Sequence, residues 1–271
     1  MTTIAEALRA AREMVSPAEA RLLLRHVLGC TAAWLETHRD DILDEECATA
    51  FSLLAARRAG GAPVAYLLGR REFYGREFEV SPAVLIPRPE TELLVDLAVA
   101  RLRGVVAPRI LDLGTGSGCI AVTLALEIPE AEVVAIDRSV MALAMAEGNA
   151  ERLGGRVLLA ESDWFSDLAE ERFNLIVSNP PYISTDDPHL HAGDLRHEPL
   201  SALASGSDGL GAIRRICAEA AEHLCPGGVL LFEHGYDQAE AAAGLLAQNG
   251  FSEIEQHRDL AGIVRVSGGR H

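Results

Sequence analysis

The stretch Ile110-Leu111-Asp112-Leu113-Gly114-Thr115-Gly116-Ser117-Gly118 decides the fold of this chain. A strand-like apolar segment runs directly into a turn with three glycines at alternate positions. Glycine adopts the left-handed backbone that such a turn needs, and it lets a ligand touch the main chain. The stretch therefore predicts a buried strand, a ligand-binding turn, and a helix that starts near Ser117.

Strand-like and helix-like segments alternate outward from this turn, as a doubly wound parallel sheet requires. We predict a sheet of seven strands. The last two are separated by a turn at Gly262 and should form an antiparallel hairpin, which a nicotinamide-binding domain usually lacks. The predicted strands are residues 109–113, 132–136, 157–160, 173–178, 228–233, 254–258 and 263–267.

Residues 1–62 predict a small helical bundle, because apolar residues recur at helical spacing between start and stop signals. Ser16-Pro17-Ala18-Glu19 combines a capping box with a proline at the first helical position, and Gly29 should end that helix. Another helix should run from Asp44 to about Arg58. We find no catalytic motif in this bundle.

Residues 63–89 have a different pattern, in which aromatic and charged residues alternate around Gly75. This pattern predicts a hairpin, which we interpret as the link between two domains. Pro89 should then open a helix. Residues 90–271 would form the domain that contains the sheet.

Composition allows one large core or two domains in the 271 residues, of which 49% are hydrophobic and 24% charged. The chain contains no apolar stretch of about 18 residues, and its N-terminus lacks an export signal. We therefore expect a cytoplasmic protein without a membrane partner. The five cysteines form no C-x-x-C pair, which favours reduced thiols over disulfides or a zinc site.

The net charge of -16 argues against stable binding to nucleic acid, because proteins that hold a phosphate backbone normally carry a basic surface. Short basic pairs such as Arg57-Arg58 are more simply interpreted as helix ends. We expect no direct, stable nucleic-acid partner.

Acidic residues at two later strand ends extend the predicted ligand site. Asp137 ends the second strand and could accept hydrogen bonds from both hydroxyl groups of a ribose. Asp163 and Trp164 follow the third strand, on the edge of the sheet where ligands bind. An adenine ring could lie against Trp164. Taken alone, the residue is about equally compatible with a packed core tryptophan, but its position at a strand end favours the ligand. Asp163 could contact an adenine amino group or cap a helix.

Asn179-Pro180-Pro181-Tyr182 follows the fourth strand and predicts a site for a planar amide or amine nitrogen. The Asn179 side-chain oxygen and the Pro180 carbonyl offer acceptors for the two N–H groups of such a nitrogen, and both prolines stiffen the turn. Tyr182 could cover the flat face of the acceptor. Alone, these residues could form a rigid turn without any chemistry.

Taken together, these motifs resemble the protein-(glutamine-N5) methyltransferases of peptide chain release factors, the HemK or PrmC family. The resemblance covers nearly the full length and includes further stretches at residues 86–92, 198–199 and 206–210. It implies a class I S-adenosylmethionine-dependent methyltransferase with a Rossmann-like sheet. It also implies that the helical N-terminal part helps to dock the release factor.

The resemblance further implies S-adenosylmethionine as methyl donor and the glutamine of the Gly-Gly-Gln motif of class 1 release factors as acceptor. Catalytic roles would fall to Asn179, Pro180 and Tyr182, and the glutamine would be held by Asn179, Pro180, Pro181 and Tyr182. The cofactor would be bound by Gly114, Thr115, Gly116, Ser117, Gly118, Asp137, Asp163, Trp164 and Asn179.

Three alternatives stay open from the sequence. A nucleic-acid amino-methyltransferase would place the same tetrapeptide beneath an extruded base, but the net charge speaks against it. A nucleotide-binding oxidoreductase or sensor could use the glycine turn without methyl transfer. The histidines and aspartates of residues 186–197 could be imagined as a metal site, but their spacing matches no established ligand pattern, and methyl transfer from a sulfonium needs no metal.

Overall fold

The structure, a computed structural model that describes residues 2–271, divides into two units, Met1–Arg70 and Arg71–His271. The first unit is helical. A short pair of antiparallel strands, β1 (Thr2–Thr3) and β2 (Ile42–Leu43), accompanies its helices. These helices are α1 (Ile4–Ala11), α2 (Pro17–Leu28), α3 (Ala32–Thr37), α4 (Glu45–Ala59) and α5 (Val64–Leu68).

Capping residues set the limits of the helices in this unit. The Ser16 hydroxyl accepts a hydrogen bond from the Glu19 N–H at 3.3 Å, and the Glu19 carboxylate accepts one from the Ser16 N–H at 3.1 Å. Gly29 ends α2 with a left-handed φ of 60°. Asp44 caps α4 by accepting from the Cys47 N–H at 2.8 Å. The predicted bundle and these caps are confirmed.

The second unit begins with a hairpin and continues as an alternating α/β domain. The hairpin pairs β3 (Arg70–Phe73) with β4 (Arg76–Glu79), and Phe73 and Phe78 are buried in the core of this unit. The strands that follow are β5 (Arg109–Leu113), β6 (Glu132–Asp137), β7 (Val157–Glu161), β8 (Phe173–Ser178), β9 (Leu224–Glu233), β10 (Ser252–Arg258) and β11 (Val264–Arg270). The helices are α6 (Glu92–Arg101), α7 (Cys119–Glu127), α8 (Val140–Leu153), α9 (Gly211–Glu219) and α10 (Ala239–Gln248).

Within the described residues of this unit, β5 to β11 form one seven-stranded sheet in the order β10-β11-β9-β8-β5-β6-β7. The five strands from β9 to β7 are parallel, and β11 pairs antiparallel with both β9 and β10. The predicted doubly wound sheet with an antiparallel terminal hairpin is confirmed. From β5 the chain continues to β6 and β7 on one side, and it then returns to add β8 and β9 on the other side. Ligands of open α/β sheets bind at such a switch in strand order.

Two apolar cores cover the faces of the sheet. Ile110 belongs to the core that includes α6 and α7, whereas Leu111 belongs to the core that includes α9 and α10. This split follows from the alternation of side chains along a strand. A sheet covered on both faces explains why its central strands are nearly continuous apolar runs.

Several predicted boundaries were wrong by a few residues. Residues 89–91 form a 3-10 turn, in which the Thr91 N–H bonds to the Arg88 carbonyl, so α6 begins after this turn and not at Pro89. Helix α7 begins two residues after Ser117, because Gly118 has a φ of 78° that no α-helix accommodates. The hairpin strands β10 and β11 are each longer than predicted, and β9 starts earlier.

None of the helices within residues 2–271 combines the length and the apolar character needed to span a lipid bilayer.

Candidate active site

The ends of three adjacent parallel strands bring the predicted site residues together. Leu113 at the end of β5 pairs with Ser178 at the end of β8, and Ser178 pairs with Phe232 in β9. The residues that follow these positions are Gly114, Asn179 and Glu233. Register therefore places the glycine turn, the Asn-Pro-Pro-Tyr turn and a glutamate at neighbouring strand ends.

The glycine turn depends on left-handed backbone at alternate positions. Gly114, Gly116 and Gly118 have φ values of 74°, 56° and 78°. The N–H groups of Gly114 and Thr115 both donate to the Ile136 carbonyl at 2.9 Å, which fastens the turn to β6. A Cβ at Gly118 would lie 3.0 Å from the Ala146 Cβ, so α8 packs too closely for any larger residue there.

Asp137 is half-buried at the end of β6 and is already engaged by the main chain. Its Oδ2 accepts from the Gly116 N–H at 3.0 Å, and its Oδ1 accepts from the Ser139 N–H at 2.9 Å. Each carboxylate oxygen has a second acceptor site. Asp137 can therefore hold the turn and still accept a hydrogen bond from a ligand.

Asp112 lies beneath the turn and is fully buried. The Thr115 hydroxyl donates to its Oδ2 at 2.7 Å, whereas its Oδ1 makes no hydrogen bond of ordinary geometry with any described residue. Burial raises the pKa of Asp112 to about 7, and the nearby charge of Asp137 acts in the same direction. Removal from water makes ionisation of this buried carboxyl group energetically unfavourable.

The segment after β7 holds a tryptophan in an unusual conformation. Trp164 has a φ of 56°, and the Ser162 hydroxyl donates to its carbonyl at 2.8 Å. Its ring carbon Cζ3 lies 4.0 Å from the position that a Cβ on Gly114 would occupy. Such strain in a non-glycine residue is typical of functional sites. The Asp163 carboxylate accepts from Arg215 at 2.5 Å and caps no helix.

A buried hydrogen-bond network surrounds Asn179. Its side-chain N–H donates to the Thr91 hydroxyl oxygen at 3.0 Å, and the Thr91 hydroxyl donates to Glu233 Oε2 at 2.7 Å. The Tyr182 hydroxyl donates to the other oxygen of Glu233 at 3.0 Å. Burial raises the pKa of Glu233, and burial together with this carboxylate raises the pKa of Tyr182.

A cavity of about 330 Å³ joins most of the predicted site residues. Gly118, Pro180 and Tyr182 do not line it. Pro180 is buried, and its carbonyl oxygen accepts no hydrogen bond from the residues that the structure describes. The predicted residues that line the cavity are Gly114, Thr115, Gly116, Ser117, Asp137, Asp163, Trp164, Asn179 and Pro181.

Two further segments line the same cavity and are joined by a buried carboxylate. Glu198 has no exposed side-chain surface; its Oε2 accepts from the Ile86 N–H at 2.9 Å, and its Oε1 accepts from the Arg88 guanidinium. Residues 83–85, 87–88, 199, 201–202 and 204–205 contribute to the lining. This contact fixes the segment before α6 against the loop that follows β8.

No group of three or more potential metal ligands occurs among residues 2–271. His189 pairs with Asp187 at 2.7 Å, and its side chain is 79% exposed. All five cysteines are free; Cys119 lines the cavity, and burial raises the pKa of its thiol to about 12. A thiol with that pKa is not a nucleophile near neutral pH.

Comparison with known proteins agrees with the two units. The family described as "PrmC N-terminal domain" matches residues 1–69, and the family described as "Methyltransferase small domain" matches residues 90–195. A Bordetella pertussis protein named release factor glutamine methyltransferase is 56% identical, and the match covers 93% of each chain. A Burkholderia pseudomallei protein of the same name is 50% identical over 99% of this chain and 96% of that relative.

The chain belongs to the release factor glutamine methyltransferase family. It is therefore an enzyme of the methyltransferase class. A Thermus thermophilus 16S rRNA N2 G1207 methyltransferase, solved with AdoMet and guanosine, has a TM-score of 0.57 at 23% identity, and the match covers 74% of this chain and 49% of that chain. That likeness concerns the fold.

Sequence reasoning missed Thr91 in this network. For Glu233 it predicted only that residues 233–238, after the fifth strand, could border the pocket or simply connect the strand to a helix. Thr91 lies within residues 86–92, a stretch that contributed to the resemblance without any assigned role. Glu233 is the last residue of an apolar strand, as Asp137 is of β6, and an acidic residue at a strand end was the signal that pointed to it. Arg88 and Arg215 also line the cavity and had no predicted role there.

Proposed function

We propose that this enzyme transfers a methyl group from S-adenosylmethionine to the side-chain amide nitrogen of glutamine. The acceptor would be the glutamine of the Gly-Gly-Gln motif in class 1 peptide chain release factors. The family and the names of the relatives support this acceptor. The catalytic and binding roles below are part of the same proposal.

The position of Asn179 carries the proposal. Its side chain lines the same cavity as the glycine turn, and its NH2 group is already bound by Thr91. Its carbonyl oxygen is therefore the end that can accept a hydrogen bond from a substrate NH2 group. The Pro180 carbonyl, which has no donor among the described residues, is the second candidate acceptor.

The cavity suits a nucleoside that carries an amino acid. The Ser117 hydroxyl is buried at the wall and makes no hydrogen bond of ordinary geometry with the described chain. Open space surrounds the Cβ position of Gly116, where a ligand can approach the backbone. We assign cofactor binding to the glycine turn, Asp137 for the ribose hydroxyls and Trp164 for the adenine. S-adenosylmethionine, when bound, supplies an electrophilic methyl carbon on a sulfonium sulfur.

Positioning would supply most of the rate, because an amide nitrogen is a weak nucleophile. Asn179 and the Pro180 carbonyl would hold the two N–H groups of the glutamine and stabilise the positive charge that grows on its nitrogen. The sulfonium sulfur would keep the electron pair of the broken C–S bond as the methyl group passes to the glutamine nitrogen, and that nitrogen would then lose a proton to water. No strong general base is needed, since a methylated amide nitrogen that still holds its proton is very acidic.

A protein substrate agrees with the charge of the molecule. The net charge of -16 disfavours close approach of a nucleic-acid backbone. We propose that the unit Met1–Arg70, which matches the N-terminal domain of the family, docks the release factor.

Incubation with isotope-labelled S-adenosylmethionine and a purified class 1 release factor tests the proposal. We expect mass mapping to place one methyl group on the glutamine of the Gly-Gly-Gln motif. A release factor in which alanine replaces that glutamine is the matched control and should take up no label. Label on another residue, or on RNA but not on the release factor, would refute the proposal.

Asn179→Ala tests the assigned role within the site. We expect a loss of turnover of roughly 100-fold or more, because an acceptor aimed at the transition state is removed. The affinity for S-adenosylmethionine, measured by calorimetry, should change much less. Asn249→Ala, at the half-buried C-terminal end of α10, is the control and should keep normal turnover. Equal losses of turnover and cofactor affinity in Asn179→Ala would contradict the role.

A further inference from the structure

The hydrogen bonds from Asn179 to Glu233 have a fixed direction. When Glu233 is ionised, its carboxylate can only accept hydrogen bonds, so the Thr91 hydroxyl, 2.7 Å away, then donates its single hydrogen to it. The lone pairs of Thr91 are then the groups that face Asn179. They can accept only from the NH2 end of the Asn179 amide, which lies 3.0 Å away.

Direction matters because the two ends of an amide have similar shapes and opposite hydrogen-bonding character. If the Asn179 amide were rotated by half a turn, its NH2 group would face the substrate. Two NH2 groups would then oppose each other, and the glutamine nitrogen would have no acceptor. The orientation of Asn179 therefore decides whether the site can hold an amide substrate.

We propose that Glu233, acting through Thr91, is a positioning residue that keeps the Asn179 amide oxygen turned towards the substrate. This inference rests on the proposed function, in which that oxygen holds the glutamine. Neither Glu233 nor Thr91 needs to touch the reacting atoms.

Burial makes this control effective. Thr91 and Glu233 are each only 1% exposed, so water does not compete for their hydrogen bonds. The three residues come from three different elements: the turn before α6, the end of β8 and the end of β9. The second oxygen of Glu233 is held by the Tyr182 hydroxyl at 3.0 Å, which fixes the plane of the carboxylate. The carboxylate therefore has little freedom to turn away from Thr91.

Thr91→Val separates the hydrogen bond from the packing, because valine replaces the hydroxyl with a methyl group of similar size. We expect kcat for release factor methylation to fall roughly ten- to 100-fold, because a misplaced reacting group slows the reaction by about this factor. The dissociation constant for S-adenosylmethionine, measured by calorimetry, should stay within about twofold, since Thr91 acts on the acceptor side. Thr91→Ser keeps the hydroxyl and should restore most of the turnover.

Thr123→Val is the matched control. Thr123 is as buried as Thr91 and lies in the same unit, but its hydroxyl has no hydrogen-bond partner in the described residues, and it does not line the cavity. The same chemical change should leave kcat unaltered there. The melting temperature of this variant also shows how a threonine-to-valine change in this core affects the stability of the protein.

Glu233→Gln tests the direction of the network. Glutamine presents an NH2 group as well as an oxygen, so Thr91 can receive a hydrogen bond and donate its own hydrogen to the Asn179 oxygen. We expect a fall in kcat of roughly ten- to 100-fold with cofactor affinity retained. Because Tyr182 also binds this carboxylate, the substitution can affect folding, and the melting temperature of the variant is measured as well.

The outcomes separate this inference from the proposed function. Wild-type enzyme that does not methylate the release factor would overturn the proposed function and the inference with it. Active wild-type enzyme with normal kcat in Thr91→Val or Glu233→Gln would overturn the inference alone. Parallel losses of kcat, cofactor affinity and melting temperature in Thr91→Val, or no recovery in Thr91→Ser, would indicate a purely structural role and would also overturn it.

Discussion

Asp112, beneath the glycine turn, makes the stability of the folded protein depend on pH. Its carboxyl is fully buried; one oxygen is bound to Thr115, and the other makes no hydrogen bond of ordinary geometry within residues 2–271. Its pKa of about 7 lies above the ordinary value of 3.8, because burial disfavours the charged form. The folded protein therefore holds a proton that the unfolded chain releases, and this group lowers stability as the pH rises from about 4 to 7.

Asp112→Asn should remove that pH dependence. We expect the free energy of unfolding of the variant, relative to wild type, to increase by about 2 to 3 kcal/mol between pH 5 and pH 8, since one pKa unit corresponds to about 1.4 kcal/mol. Denaturant titrations without cofactor at both pH values measure this change. A difference between the two proteins that does not vary with pH would show that Asp112 titrates normally.

The sequence located individual site residues where one motif decides their position. Gly114 and Asp137 follow strands whose apolar pattern is plain, and register then brings them together. The network that joins Thr91 and Glu233 to Asn179 was not predicted, because it depends on three separate elements. The residue pattern within a segment predicts the conformation of that segment. Which segments meet at a site is decided by tertiary packing.

At the scale of elements, a single side chain ties the β3–β4 hairpin to the glycine turn. Asn149 of α8 is fully buried; its Oδ1 accepts from the Glu79 N–H at 2.7 Å, and its Nδ2 donates to the Glu79 carbonyl at 3.0 Å. The same Nδ2 donates to the Ser117 carbonyl at 2.9 Å. This side chain therefore links three elements through main-chain groups.

Asn149→Ala should destabilise the second unit by roughly 2 to 4 kcal/mol, because main-chain groups at Glu79 and Ser117 would lose their partner while partly or fully buried. Urea unfolding followed by circular dichroism measures the loss. Asn249→Ala removes one partly buried bond to the Leu245 carbonyl at the end of α10 and should cost less than about 1 kcal/mol. Similar losses in the two variants would contradict the linking role.

Elements were predictable to the extent that local chemistry sets their ends. Ser16 and Gly29 bound α2 as predicted, because capping acts within a few residues. Pro89 opens a 3-10 turn that leads into α6, and the Thr91 hydroxyl in this turn is bound to the distant Glu233, which local sequence does not indicate. Strand β9 begins before its apolar run, at Leu224, because Leu224 pairs with Phe173 of β8.

At the scale of the whole molecule, charge is distributed unequally between the two units. Residues 1–70 carry eight arginines and nine acidic residues, whereas residues 71–271 carry 16 arginines and 31 acidic residues. The near-neutral first unit contains a cleft of about 130 Å³ whose charged lining is entirely basic: Arg9, Arg12, Arg21 and Arg39. Arg21 and Arg39 share Glu36, but Arg9 and Arg12 are exposed and make no salt bridge within the described chain.

We propose that this basic cleft attracts an acidic segment of the protein substrate to a molecule that is otherwise strongly negative. Arg9→Glu combined with Arg12→Glu should raise the KM for the release factor roughly tenfold at low salt, with kcat and cofactor affinity nearly unchanged. The difference from wild type should shrink at 0.5 M salt, where exposed charges are screened. Arg103→Glu combined with Arg156→Glu changes the net charge equally at exposed positions of the second unit and is the control. If both pairs raise KM alike, total charge rather than this cleft governs docking, and the first unit would have to engage its partner through another surface.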